Sequence, residues 1–207
     1  MITIKDTAIL HITDGDRFHY GANQIWYRNL LQRKAGCGPT CAAHLIWYFA
    51  SARPEYSGLV TRDCRDKAGF RGLMEDTWRY VTPGFGGVNK LSVFTEGVIR
   101  YGRERGFSLG CSVLEVPANP EERPTNTQFF DFLEKHIRRD EPVAFLNLNN
   151  GGVAGLDTWH WVTLVGVDRE AGTALMYDQN RRLVIDIRRW LSATTDRGGL
   201  VALTKAS

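Results

Sequence analysis

The sequence predicts an α+β fold in which a helical half precedes an antiparallel sheet half. Residues from about 20 to 115 carry apolar runs at helical spacing, whereas the chain from about 125 onward breaks into short β-rich segments. A run of helices followed by a run of strands is typical of α+β domains. A parallel sheet would instead need strands that alternate with helices along the chain. We therefore expect one domain over residues 1–207, with a helical lobe at about 20–115 and a sheet lobe at about 125–207.

Three segments of the first half carry helix signals. Pro39 suits a first helical turn, where its missing N–H is not needed, and residues 40–52 contain no helix breaker. Apolar residues recur at helical spacing over residues 89–104, which predicts a second helix. A shorter helix is expected at about residues 73–80, inside a stretch that is otherwise rich in glycine and proline.

The second half begins with one more helix and continues as strands. Thr125 and Gln128 have the spacing of a capping box, and the apolar stripe that follows them includes His136, which we expect in the core or at its rim. Short β-rich segments bounded by turn residues then predict an antiparallel sheet. These segments are 142–148, 160–168, 173–178, 182–187 and 198–204.

Composition and charge disfavour several classes of protein. The formal net charge is +3 and the arginines occur in pairs, whereas a nucleic-acid-binding surface normally carries a stronger basic patch. No apolar run approaches the ~18 residues that a membrane helix needs, and the N-terminus lacks the pattern of a signal peptide. We therefore expect a cytoplasmic protein with no nucleic-acid or membrane partner, whose cysteines stay reduced.

Cys37 stands at the start of the apolar run in the stretch GCGPTCAAHLIWY. At the beginning of a helix its sulfur would face the positive end of the helix dipole and unpaired backbone N–H groups, which favour a nucleophilic thiolate. Gly36 and Gly38 would leave room beside it for an incoming acyl group. The alternative is a small buried cysteine that only packs within a tight turn.

Cys41 and His44 follow Cys37 on the same helical face, which raises the question of a metal site. Structural zinc takes four ligands, usually including a second pair at short spacing. The remaining cysteines, Cys64 and Cys111, are isolated and supply no such pair. We therefore expect Cys41 to be a packed core cysteine, and we expect neither a metal nor a cofactor.

A thiol nucleophile needs a base, and His160 is the best placed of the five histidines, because it opens a predicted strand after the loop NNGGVAGLDTW. A hairpin would return Asp178 to the same end of the sheet as an orienting group, with Asn180 as the alternative. Gln32 lies five residues before Cys37, so its amide could join the backbone N–H of Cys37 as an oxyanion donor.

The order of these residues resembles the papain-like cysteine peptidases. The chain looks most similar to stand-alone relatives of the peptidase domains that cut double-glycine leaders, through Gln32, the CGP at Cys37, the HWVTLVGVD from His160 and the YDQN that contains Asp178. The resemblance implies a two-lobed papain-like fold. It also implies that Cys37 is the nucleophile, that His160 is the base, that Asp178 or Asn180 is the orienting group, and that Gln32 is the oxyanion donor.

The predicted activity is cleavage of a peptide or amide bond by a cysteine-dependent hydrolase, through a thiol acyl-enzyme. If an amine or a thiol replaced water as acceptor, the same triad would make an acyl or γ-glutamyl transferase. A chain that kept the fold but lost turnover would be a binding module. The expected partner in the first two cases is a peptide or amide substrate.

Overall fold

The computed structural model describes residues 1–206 and is organised around one antiparallel sheet. The strands in chain order are β1 (Ile2–Thr3), β2 (His11–Asp14), β3 (Arg17–Tyr20), β4 (Leu109–Val116), β5 (Val143–Asn147), β6 (His160–Asp168), β7 (Thr173–Asp178), β8 (Arg181–Asp186) and β9 (Gly198–Lys205). Within residues 1–206, seven strands share the sheet in the order β4-β9-β5-β6-β7-β8, with β1 also paired to β6. β2 and β3 form a separate hairpin.

Helices account for much of the remaining chain. They are α1 (Leu30–Ala35), α2 (Cys37–Ala52), α3 (Lys67–Trp78), α4 (Leu91–Arg103), α5 (Asn126–Arg138) and α6 (Ile187–Ala193). In the part of the chain that the structure describes, no helix combines the length and the apolarity needed to cross a membrane. The combination of helices with a large antiparallel sheet confirms the predicted α+β class.

The helices cover both faces of the sheet, and alternating side chains of β5 divide between the two layers. Ala144 and Leu146 join a hydrophobic cluster with α2, α3 and α4, whereas Val143 and Phe145 join a second cluster with α5 and α6. Trp190 of α6 packs edge-on against Phe145, with ring centroids 4.5 Å apart. The sheet is therefore the middle layer, and the helices of the first half cover one of its faces.

α2 is buried on almost all sides, as a helix that is apolar all round must be. Pro39 is its third residue and lies in the first turn, as predicted. The Cys41 thiol donates a hydrogen bond to the Val162 carbonyl oxygen at 3.3 Å, which joins the helix to β6. This contact brings the N-terminal end of α2 to the end of the sheet where β6 begins.

The capping box predicted for α5 is present. The N–H of Gln128 donates to Thr125 Oγ1 at 3.2 Å, and the N–H of Thr125 donates to Gln128 Oε1 at 2.8 Å. His136 lies in the core of the same helix, as expected, and its Nδ1 is 2.6 Å from Glu141 Oε2.

The predicted helical lobe extends too far toward the C-terminus. Residues 109–116, assigned to that lobe, form β4 instead and pair with β9 over their whole length, from Leu109 with Lys205 to Val116 with Gly198. The partner strand lies far away in the sequence, so local composition carried little sign of the pairing.

Two helix starts were also missed, and an aspartate cap explains each of them. Asp66 Oδ1 accepts from the N–H of Gly69 at 2.8 Å, so α3 begins before the predicted 73–80 segment. Asp186 Oδ1 accepts from the N–H of Arg189 at 2.8 Å and starts α6, where the sequence predicted the end of a strand. Aspartate is a strong N-cap residue, so both starts were visible in principle.

Replacing Thr125 by Ala should lower the free energy of unfolding by about 1 kcal/mol, because the N-terminal N–H groups of α5 lose a capping oxygen. Thr127→Ala is the matched control, since Thr127 is exposed in the first turn of the same helix. Urea denaturation of the two variants measures the difference. Equal stability of both variants would mean that the capping box contributes nothing.

Candidate functional site

Cys37 is the first residue of α2 and is half-buried. Its N-cap residue is Gly36, which has no side chain to satisfy the first N–H groups of the helix. Pro39 contributes no N–H, so the backbone donors of the first three residues are the N–H groups of Cys37 and Gly38. The sulfur therefore lies where the helix dipole and free donors favour a negative charge.

The glycines around Cys37 have a packing role. A Cβ on Gly36 would lie 2.4 Å from the carbonyl oxygen of Gln32 and 2.5 Å from the Tyr27 ring. A Cβ on Gly38 would lie 2.9 Å from the Val88 side chain. The structure thus gives these glycines a reason other than room for an acyl group: they let the start of α2 pack closely against its neighbours.

His160 and Asp178 form a buried pair at the end of the sheet. His160 Nε2 lies 2.7 Å from Asp178 Oδ1, and the two residues are only 7% and 6% exposed. A β-bulge in β6, between Leu164 and Gly166, sets this contact, because it pairs Thr163 with Tyr177 and moves Asp178 one position closer to His160.

Asn180, the alternative orienting residue, lies beyond β7 in a turn. Its φ is +70°, and its backbone carbonyl oxygen accepts from the N–H of Tyr20 at 3.1 Å. The observed partner of the His160 ring is thus Asp178 and not Asn180.

The surroundings of His160 favour its charged form. Burial opposes the imidazolium, but hydrogen bonds with Asp178 and Cys37, together with their charges, outweigh burial and raise the pKa of His160 to about 10. Because Nε2 bonds to Asp178, Nδ1 is the ring nitrogen left for the Cys37 sulfur. The His160 ring thus has one nitrogen bonded to the carboxylate and the other free for the thiol.

Cys37, His160 and Asp178 line the same small cavity, whose volume of about 10 Å³ corresponds to about one water molecule. Among the described residues, Gln24 lines this cavity and Gln32 does not. Gln24 Nε2 donates to the Arg33 carbonyl oxygen at 2.9 Å, which leaves its second N–H unused by that bond. The role of Gln32 as oxyanion donor stays a prediction. Gln24 is the better-placed side-chain amide, and its distance from Cys37 in the sequence gave no sign of this.

Cys37 also borders an open groove of about 510 Å³ on its other side. The groove is lined mainly by apolar residues, and two aromatic side chains project at its edge: Phe85 is fully exposed and Trp159 is 53% exposed. Trp159 has a φ of +54°, in the left-handed region that bulky residues rarely adopt, and it directly precedes His160. Cys37 therefore borders both the small cavity that holds His160 and Asp178 and this larger, mainly apolar groove.

Cys41 and His44 line the same cavity as Cys37, but both bond to Thr163. Cys41 Sγ and His44 Nδ1 are 3.3 and 2.9 Å from Thr163 Oγ1. Burial raises the pKa of the Cys41 thiol and so disfavours the thiolate that zinc requires. These contacts do not fit the zinc alternative.

A second group of possible metal ligands overlaps the candidate site. One ligand atom from each of Asp157, His160 and Asp178 lies within 4.8 Å of the others. His160 Nε2 and Asp178 Oδ1 are, however, joined directly by a hydrogen bond of 2.7 Å, and Asp157 Oδ2 accepts from Gln179 Nε2 at 2.7 Å. The arrangement is therefore better suited to proton transfer than to metal binding.

Comparisons with known proteins assign this chain to no family. The sequence matches no family model, and it matches no curated protein either. What the protein does must therefore be inferred from the contacts of Cys37, His160 and Asp178.

Asp178→Asn should lower the pKa of His160, because the amide removes a carboxylate charge that raises it. In the wild type the charged pair stabilises the fold fully below about pH 6.5, and this contribution disappears as pH rises through about 10. In the variant the loss should occur at lower pH. NMR titration of the His160 ring measures the shift.

Asp157→Asn is the control for this titration, since Asp157 is an exposed carboxylate in the same neighbourhood. It should leave the His160 titration almost unchanged, because the groups that raise the pKa of His160 are Asp178 and Cys37. If Asp157→Asn and Asp178→Asn shifted the titration equally, the buried pair would not control the imidazole.

Proposed function

We propose that this chain is a papain-like, cysteine-dependent hydrolase that cleaves a peptide or amide bond through a thiol acyl-enzyme. The observation that carries the proposal is the buried hydrogen bond between His160 and Asp178, in a cavity that is also lined by Cys37, the first residue of a helix. Acyl transfer by a thiol needs a nucleophile, an oriented base and donors for an oxyanion, and all three types of group are present here. The α+β architecture is compatible with the papain-like resemblance.

In the first step, Cys37 enters as thiolate and His160 as imidazolium. The sulfur attacks the carbonyl carbon of the substrate and forms a C–S bond, while the electron pair of the carbonyl π bond moves to oxygen. The backbone N–H groups at the start of α2 and the side-chain amide of Gln24 are the proposed donors to this oxyanion.

In the second step, the His160 imidazolium donates its proton to the nitrogen of the leaving amine as the C–N bond breaks. The thioester that remains is attacked by water, which loses a proton to the now neutral His160. Collapse of this second tetrahedral intermediate releases a carboxylic acid and restores the thiolate and the imidazolium. Asp178 holds the ring and stabilises its positive charge throughout.

The groove beside Cys37 is the proposed path for the acyl part of the substrate. It is open, it reaches the sulfur, and most of its lining is apolar, so it suits an extended peptide better than a highly charged ligand. Within residues 1–206 all four cysteines are free thiols. A nucleophile of this kind must stay reduced, and for that reason we propose a cytoplasmic location.

Iodoacetamide at pH 7 should alkylate Cys37 much faster than the other three cysteines. Burial raises the pKa values of Cys64 and Cys111 to about 12 and raises that of Cys41 further, so these thiols stay protonated. Intact mass and peptide mapping identify the labelled residue. Equal labelling of all four thiols would remove the catalytic assignment.

Cys37→Ala should abolish turnover of peptide and amide substrates while the protein stays folded. Gln24→Ala should lower kcat/KM by roughly 10²-fold, as expected for the loss of one oxyanion donor, whereas Gln32→Ala should have little effect. Assays on a panel of peptides, amides and γ-glutamyl donors, with and without an added amine acceptor, measure both effects.

The same assays test the alternatives. Products joined to the added amine would identify a transferase on the same triad. A folded wild type with a reactive Cys37 that turns over no member of the panel would favour a binding module. A larger loss for Gln32→Ala than for Gln24→Ala would restore the original assignment of the oxyanion donor.

A further inference from the structure

We infer that His44 is a positioning residue of the proposed active site, because its imidazole joins the three segments that carry Gln24, Cys37 and His160. This inference rests on the proposed function. His44 touches none of the reacting groups assigned above. It would act by keeping the backbone segments that carry them in a fixed relative position. From the sequence we expected core packing in this part of α2 and no metal site.

Both nitrogens of the His44 ring are used. The backbone N–H of Ala22 donates to Nε2 at 2.8 Å, so Nε2 carries the lone pair and Nδ1 carries the hydrogen. Nδ1 lies 2.9 Å from Thr163 Oγ1 and donates to it. The Thr163 hydroxyl can then donate to Cys41 Sγ at 3.3 Å, whose own S–H donates to the carbonyl oxygen of Val162 at 3.3 Å.

This series of linked hydrogen bonds is buried and electrically neutral. His44 is only 3% exposed, and burial lowers its pKa to about 3, so the ring stays uncharged at physiological pH. Gly21 makes the close approach possible, because it has a φ of +75° and a Cβ there would lie 3.0 Å from His44 Nε2. The backbone at Gly21 thus leaves the space that the His44 ring occupies.

Each bond of His44 leads toward a different part of the site. His44 itself lies two helical turns after Cys37 in α2. Ala22 lies two residues before Gln24, and Thr163 lies three residues after His160 in β6. The imidazole consequently holds two segments against α2, the helix that begins at Cys37. These segments are the start of β6 and the stretch that leads to Gln24.

Loss of the ring would leave the buried N–H of Ala22 without a partner, and the Thr163 hydroxyl would lose its donor and keep only its bond with Cys41. These groups can find new hydrogen-bond partners only if β6 or the segment before Gln24 moves relative to α2. A displacement of about 1 Å between reacting groups can lower a rate by about 10²-fold. A small shift here would weaken the contact of Cys37 with His160 while the core stays folded.

His136 provides a matched comparison. It is also a fully buried histidine in a helix, and its Nδ1 bonds to Glu141 at 2.6 Å, but none of its bonds leads to the site. Removal of either ring should destabilise the fold. Only removal of His44 should alter the chemistry of Cys37.

The experiment compares His44→Phe, His44→Gln and His136→Phe in the full chain. For each variant, the rate of Cys37 alkylation by iodoacetamide is measured against pH, together with stability to urea. We expect His44→Phe to move the midpoint of the alkylation profile to higher pH and to slow alkylation at pH 7 by about 10-fold or more. His44→Gln should restore most of the wild-type profile, since its amide can both accept from Ala22 and donate to Thr163.

His136→Phe should lose stability and keep the wild-type profile. The inference is overturned if folded His44→Phe keeps that profile, or if His136→Phe shifts it equally. Should His44→Phe fail to fold, Thr163→Val decides: it removes the acceptor of His44 with little change in volume, and an unchanged profile would overturn the inference. Failure of the proposed function is distinguishable, because it shows in the wild type itself, as a lack of selective Cys37 alkylation or of turnover, and not in the comparison between variants.

Discussion

The docking of α2 on β6 determines where every candidate functional group lies. Cys37 begins the helix, His160 begins the strand, and the two elements are held together by apolar packing and by the buried bonds of Cys41 and Thr163. Because neither the helix nor the strand can slide without breaking these bonds, the thiol and the imidazole meet at a fixed place. The reactive groups are thus a consequence of how one helix covers one sheet.

Two buried histidines of this region differ in charge because their partners differ. His44 has neutral hydrogen-bond partners, so burial keeps its ring uncharged. His160 is also buried but bonds to the Asp178 carboxylate, and the groups around it more than offset the penalty of burial. The protein interior therefore holds His44 as a neutral structural link and His160 as a protonated ring that can donate its proton.

Much of this arrangement could be predicted, because its signals are local. The capping box before α5 and the start of α2 at Cys37 follow from short-range patterns, and the choice of Asp178 over Asn180 needed only hairpin geometry with a bulge. β4 could not be assigned because its pairing with distant β9 leaves little local trace. Gln24 was missed for a similar reason: it reaches the cavity through the path of the folded chain.

Trp159 gives the protein a natural optical reporter. Within residues 1–206 it is the one exposed tryptophan, since Trp26, Trp161 and Trp190 are buried and Trp47 and Trp78 are partly buried. Its indole stands at the edge of the groove and is attached to the residue before His160. Water-borne quenchers should therefore reach this fluorophore far more readily than the other five, and anything that fills the groove should change the emission of the intact, unlabelled molecule.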